Sequence, residues 1–380
     1  MRLLVAPDSF KGSLTSVEVA HALAEGWSRG RPDDTVRLSP LADGGEGTLD
    51  AVAAAGGWAR LPAAARDPLG EPLDGRFLRQ DDRAVVELAT ASGLSRVPPE
   101  LRDALAASTF GTGLIVAAAI GLGARRIVLG LGGSATTDGG SGLLRALGVR
   151  FLDASGAELP MGGGALDRLH RVDLAGLAPI LGEVDLVIAS DVTNLLLGEL
   201  GAAATYGPQK GADTAQVARL DANLAHYADV LEAAVGRSLR DVPGAGAAGG
   251  TTAGLLAIAD RFASFEVRPG VEVVMELTGF DEALSDADLV ITGEGRVDRQ
   301  TAYGKTALGV ARRAAGAGRP CICFGGGVTE EGIAALAALG AVVMPVTEAS
   351  GSVEAQMAAG IAPLVRAAER AARLVSIGSG

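Results

Sequence analysis

Residues 288–347, "DLVITGEGRVDRQTAYGKTALGVARRAAGAGRPCICFGGGVTEEGIAALAALGAVVMPVT", read as three short apolar runs joined by two Ala-rich stretches of helical period. The runs "DLVITG", "PCICFGG" and "AVVMPVT" are continuous rather than alternating, as strands covered on both faces are. "KTALGVARRAAGAG" and "TEEGIAALAALG" between them supply crossover helices, and strand–helix–strand repetition predicts a parallel sheet. The first residues carry the same pattern. "RLLVAP" is a strand, "TSVEVAHALAEGWSRG" a helix with Thr15 and Glu18 placed for a capping box, and "TVRLSPL" a second strand. Two such units at the start and three at the end predict one five-stranded, doubly wound parallel sheet of flavodoxin-like type. Residues 1–64 plus 286–380 form this discontinuous α/β domain, and residues 65–285 are a second, inserted α/β domain.

The insertion starts differently. "RDPLGEPLDGRFLRQDDRAVVELA" has turn signals between alternating runs, which predicts antiparallel strands. "RRIVLGLGG", "VRFLD" and "VDLVIASD" follow with helices between them, so a mixed sheet is expected. An insertion whose ends return to the parent domain creates a cleft between the two, a preferred place for a ligand, and the active site is expected there.

Bulk properties narrow the function. At 380 residues the chain exceeds what one core usually covers. Hydrophobic residues at 48% and charged residues at 21% describe a folded protein, with 55 glycines and only 3% aromatics pointing to a core of Ala, Val, Leu and Ile. A formal net charge of -12 opposes nucleic-acid binding, which draws its affinity from basic side chains on phosphates. It leaves room for an anionic small substrate in a local basic pocket. No run spans a membrane and no secretory signal is visible. Cys321 and Cys323 read as small buried hydrophobes in a reduced, cytoplasmic protein. His21, His170 and His226 stand outside every polar motif, and the oligomeric state is left open.

The Gly-Lys-Thr at 304–306 is not a phosphate-binding P-loop. That loop needs a glycine five positions before Gly304, and Arg299 stands there. No G-x-G-x-x-G follows the first strand either, which argues against a dinucleotide-dependent dehydrogenase. Five polar stretches nevertheless follow apparent strands: "APDSFKGS" (Asp8, Ser9, Lys11), "PLADGGEGT" (Asp43, Glu46), "GLGGSATTDGG" (Gly132, Gly133, Ser134, Thr136, Thr137, Asp138), "ASDVTN" (Asp191) and "GEGRVDRQTAYGK" (Glu294, Arg296, Asp298, Lys305). Stability does not call for Asp, Ser, Lys and paired glycines at nearly every strand exit. Phosphoryl transfer does: hydroxyls, amides and Lys for phosphate oxygens, carboxylates for Mg²⁺, and one carboxylate beside the acceptor hydroxyl. "GGSATTDGG", entering a helix near Gly142, is the expected phosphate or nucleotide cradle. Lys11 and Lys210 ("YGPQKGA") are flexible point charges suited to a transferring phosphate.

Taken together, "APDSFKGSLTS", "PLADGGEGT", "GGSATTDGG", "SDVTN", "GPQKGA", "GAGAAGG" and "GEGRVDRQTAYGK" resemble, in the same order and over nearly the whole chain, the bacterial glycerate kinase family of type I, the glycerate 2-kinase class. The resemblance implies a flavodoxin-like domain interrupted by a second α/β domain, and transfer of phosphate from Mg-ATP to D-glycerate, typically at the 2-hydroxyl. Three positions depart from the family pattern. Leu195 follows "SDVTN" and Ala307 follows "GKT", where Pro is usual, and Leu114 follows "GTG", where an acid is usual.

With that reaction in view, Asp43, Glu46 and Asp191 are the candidates for Mg²⁺ and acceptor contacts, and Asp191 or Asp8 receives the hydroxyl proton. Lys11 and Lys210 hold the transferring phosphate. Arg296 grips the substrate carboxylate, because a guanidinium offers two parallel bonds, with Ser9, Glu294, Asp298 and Lys305 adding polar contacts. The alternatives are a kinase for another small hydroxy acid or polyol, and a non-catalytic sensor of nucleotide or phospho-acid. Extra carboxylates at the strand exits disfavour the sensor, since a binder of anions gains nothing from them without a metal.

Overall fold

The computed structural model describes residues 1–298, 306–347 and 357–377. The chain divides into two compact units: residues 1–43, 50–57 and 269–380 form the first, and residues 44–49 with 58–268 the second. The strands in chain order are β1 (Arg2–Val5), β2 (Thr35–Leu38), β3 (Ala59–Arg66), β4 (Pro72–Gln80), β5 (Arg83–Glu87), β6 (Arg126–Gly130), β7 (Arg150–Leu152), β8 (Arg171–Asp173), β9 (Asp185–Ala189), β10 (Ser264–Arg268), β11 (Leu289–Val297), β12 (Cys321–Val328) and β13 (Ala341–Pro345).

In the first unit the described strands make one five-stranded sheet in the order β13-β12-β11-β1-β2, with every neighbouring pair parallel. Numbered within this unit alone, that is the 2-1-3-4-5 order of flavodoxin-like sheets. The order reverses between β1 and β11, where Leu3 faces Leu289 and Val5 faces Ile291. Both strands are buried on both faces, which is why their sequences are continuous apolar runs. One face is covered by the helices Ser16–Gly30 and Ala362–Ile377 packing over Leu3, Val5, Ile291 and Phe324. The two helices touch at Gly26, where a Cβ would lie 2.1 Å from the Val365 carbonyl oxygen, so only glycine allows this approach. The expected capping box is present: Thr15 Oγ1 accepts from Glu18 N, and Glu18 accepts from Thr15 N.

The second unit carries a six-stranded mixed sheet, β10-β9-β6-β5-β4-β3, antiparallel through β3, β4 and β5 and parallel from β5 to β10. "VRFLD" does not join it. Its strand β7 pairs instead with β8 in a separate two-stranded ribbon. The edge strand β10, "SFEVR", is short and mostly exposed. The boundaries also differ from those expected at 65 and 285. β3 starts at Ala59, hidden by an Ala-rich sequence poor in β-branched residues, and pairs with β4 along its whole length. The helices Gly270–Thr278 and Phe280–Asp286 group with the first unit.

Candidate active site

Two strand exits meet at the order reversal of the first sheet. Ala6 N donates to Ile291 O at 2.7 Å and Asp8 N to Gly293 O at 2.8 Å, which carries the β1/β11 pairing beyond Val5 and brings Asp8 and Glu294 to the same edge. Both carboxylates are buried, Asp8 at 6% exposure and Glu294 at 5%. Asp8 is held firmly. Its Oδ1 accepts from Ser9 N at 2.6 Å and its Oδ2 from Thr306 Oγ1 at 2.6 Å. Burial pushes the Asp8 carboxyl up to about 6, and the charge of Asp43 adds to the rise, against the opposing pull of Thr306, Ser9 N and Lys11.

Lys11 lies beside this pair, its Nζ donating to Asp43 Oδ2 at 3.3 Å while most of its side chain stays in solvent. Asp43 above all holds the Lys11 ammonium above its usual range. Arg296, also largely exposed, is steadied by Asp298, with Nε 3.1 Å from Oδ2. Asp8, Ser9, Lys11, Asp43, Glu294 and Arg296 thus line one pocket of about 780 Å³, formed by residues of the first unit. A buried carboxylate whose proton affinity is raised toward neutrality, beside exposed cations, is the composition of a site that takes a proton from an anionic substrate. Lys305 lies outside the described residues.

The "GGSATTDGG" loop has its side chains turned inward. Asp138 is fully buried and its carboxylate is committed internally. Oδ2 accepts from Thr109 N at 2.8 Å, Thr109 Oγ1 at 2.9 Å and Gly142 N at 3.2 Å, and Oδ1 from Gly140 N at 3.1 Å. Burial raises the Asp138 carboxyl in spite of these donors. Ser134, Thr136 and Thr137 are buried as well, and within 132–138 only Gly133 is exposed. Lys210 is 2% exposed, donates from Nζ to Thr136 O at 2.6 Å, and is lowered by burial to about 7. "GAGAAGG" is the kinked entry to the helix Ala247–Ala257, with Ala248, Gly249 and Gly250 all left-handed. At Gly249 (φ +67°) a Cβ would sit 2.0 Å from Thr136 O, so this glycine lets the two loops touch. Asp191 and Glu46 are also in the second unit, Glu46 exposed and Asp191 half-buried. Among the described residues no three of His, Cys, Asp and Glu gather as a ready metal site. His226 Nε2 lies 2.6 Å from Leu169 O, and Cys321 and Cys323 are buried thiols.

The glycerate kinase family model matches residues 3–376. The chain belongs to the glycerate kinase family. A Glycerate kinase of Halalkalibacterium halodurans is 44% identical over 356 residues, which are 91% of this chain and 93% of the relative. The Glycerate 2-kinase of Escherichia coli K12 is 44% identical over 333 residues, 87% of this chain and 86% of the relative. The crystal structure of a Salmonella typhimurium LT2 protein assigned as a glycerate kinase 2 superposes with a TM-score of 0.84 at 38% identity, covering 100% of this chain and 99% of that one. As a family of kinases acting on a hydroxyl acceptor, glycerate kinases use a nucleotide. Among the described residues no helix is long and apolar enough to cross a membrane.

Two further residues contribute. Thr306 of "GKT" holds Asp8 through its hydroxyl. Its position directly after a Lys at the start of a helix was the available signal. Thr109 supplies two of the donors to Asp138. Nothing in a single sequence places residue 109 beside residue 138.

Proposed function

We propose that this protein is a glycerate kinase that transfers the γ-phosphoryl group of Mg-ATP to the 2-hydroxyl of D-glycerate, giving ADP and 2-phosphoglycerate. The observation that supports it most is the Asp8 carboxylate, buried at the switch point of a parallel sheet, fixed by Thr306 and Ser9 N, and raised to about 6. A base of that proton affinity is mostly ionised at neutral pH and still accepts a proton readily.

In this reading the 2-oxygen of glycerate attacks the γ-phosphorus, the bond from that phosphorus to the β–γ bridging oxygen breaks, and the hydroxyl proton passes to Asp8. Such transfer passes through a loose transition state, so positioning and charge neutralisation supply the rate. Lys11 is the mobile cation for the transferring group. Arg296, steadied by Asp298, grips the glycerate carboxylate, and Ser9 and Glu294 take hydrogen bonds from the acceptor. Asp43, Glu46 and Asp191 are the candidates to hold Mg²⁺, which would neutralise polyphosphate charge. Lys210 acts through the loop it pins.

Phosphorus NMR of the purified protein with Mg-ATP and D-glycerate tests this directly. A 2-phosphoglycerate resonance is expected. A 3-phosphoglycerate resonance would keep the kinase and overturn the acceptor position, and no phosphoglycerate at all would overturn the function.

A further inference from the structure

The pocket of the first unit is much larger than a three-carbon acid requires. Its volume of about 780 Å³ falls among cavities that enclose drug-sized ligands, roughly 300–1,000 Å³. Its lining is unevenly charged. Most charged groups come from the exits of β1 and β11 and from Asp43, whereas the exits of β12 and β13 and the C-terminal helix contribute Val328, Val346 and Leu364 together with the hydroxyls of Thr329 and Thr347 and one cation, Arg366. Phe10, Leu14 and Met357 complete that apolar side. Gly326 and Gly327 also line it: at Gly326 a Cβ would stand 2.6 Å from Gly295 O and 3.4 Å from Phe10 Cε2, so that glycine lets its own neighbours pack closely, whereas at Gly327 the nearest atom is Arg296 Cγ at 3.7 Å.

Glycerate is polar at every carbon and gains nothing from such a wall. Resting on the kinase reading above, we infer that the apolar side formed by Phe10, Leu14, Val328, Val346, Met357 and Leu364 seats the adenine nucleoside of the phosphoryl donor. The uncharged part of the donor then occupies the side of β12 and β13, and its charged part faces Lys11.

The test is equilibrium binding of ADP and of D-glycerate, measured separately by calorimetry, for the wild type, Leu14→Gln, Met357→Gln and the double variant. These positions are partly exposed, Met357 at 40%, so neutral polar replacements leave the core intact. The double variant should bind ADP about tenfold more weakly, with glycerate affinity within twofold of wild type and KM for ATP raised in parallel at nearly unchanged kcat. Unchanged ADP affinity, or an equal loss for glycerate, would overturn the seat while leaving the kinase intact. Wild-type protein that binds ADP but makes no phosphoglycerate would instead break the functional reading, and the ADP comparison would still decide the seat. Should the double variant melt below the assay temperature, Met357→Gln alone decides.

Discussion

Thr306 donates its hydroxyl to the Asp8 carboxylate across 298 positions of sequence, Oγ1 to Oδ2 at 2.6 Å, with Thr306 fully buried. The bond ties the exit of the first strand to the start of the helix Thr306–Gly316. A donor to the charged form favours ionisation, so Thr306 holds the Asp8 proton affinity below what burial alone would give. Thr306→Val should therefore raise it further, by about one pH unit. The acid limb of kcat/KM would move upward. At pH 6 the loss should be roughly five- to tenfold, and at pH 8 much smaller. Thr306→Ser keeps the donor and should restore the wild-type profile. A uniform loss at every pH would mean that Thr306 serves only packing.

Asp8 itself should show opposed effects on activity and stability. Its carboxyl stands near 6 in the folded protein, above the ordinary value of 3.8. Between those two values the native state keeps a proton that the unfolded chain has released, so stability falls as pH rises through about 4 to 6. At pH 7 the ionised, buried carboxylate still carries that cost. Asp8→Asn removes it, with the amide oxygen accepting from Ser9 N and the amide nitrogen donating to a rotated Thr306 hydroxyl. The variant should lose at least about 10²-fold in kcat. It should also be more stable than wild type by about 2–3 kcal/mol at pH 7, a gain that vanishes below pH 4. Urea titrations at pH 4 and pH 7 with a kcat measurement check both halves, and a variant that is inactive but no more stable would put the Asp8 carboxyl in water.

How far the sequence discloses this arrangement depends on the range of the interactions. Strands such as β11 and β12 announce themselves because burial on both faces demands unbroken apolar runs, and the helix at Ser16–Gly30 announces its start through Thr15 and Glu18. The reversal in strand order followed from counting such units at the two ends. That Asp8, Lys11, Asp43, Glu294 and Arg296 gather in one pocket was legible because polar residues at strand exits have few structural uses. Direction was not legible. Asp138 and Lys210 have the composition of ligand-binding residues, yet one is committed to Thr109, Gly140 and Gly142 and the other to the Thr136 carbonyl. Whether such a group faces solvent or a neighbouring loop is settled by contacts between residues scores of positions apart. The apolar side of the pocket was hidden for the same reason: Phe10, Val346 and Leu364 read as ordinary core.

Lys210 gives the last prediction, since its burial makes two readings separable. A lysine that served chiefly as an exposed phosphate ligand would keep its ordinary value of 10.5, whereas this one is lowered to about 7 by burial. Between those values the unfolded chain holds a proton that the native state lacks, so wild-type stability should rise as pH goes from 7 toward 10. Lys210→Met, similar in length and without a titrating group, should lack that part of the rise. It should also cost about 1–3 kcal/mol at high pH, because the Thr136 carbonyl loses its Nζ donor. Urea unfolding of both proteins at pH 7 and pH 9.5 reads the difference directly. Parallel pH slopes would place the Lys210 ammonium in water and return it to the phosphate. A wild-type slope steeper than that of the variant would make Lys210 the internal pin of the 132–138 loop, with any fall in kcat arising from the loop rather than from a lost contact to the reacting group.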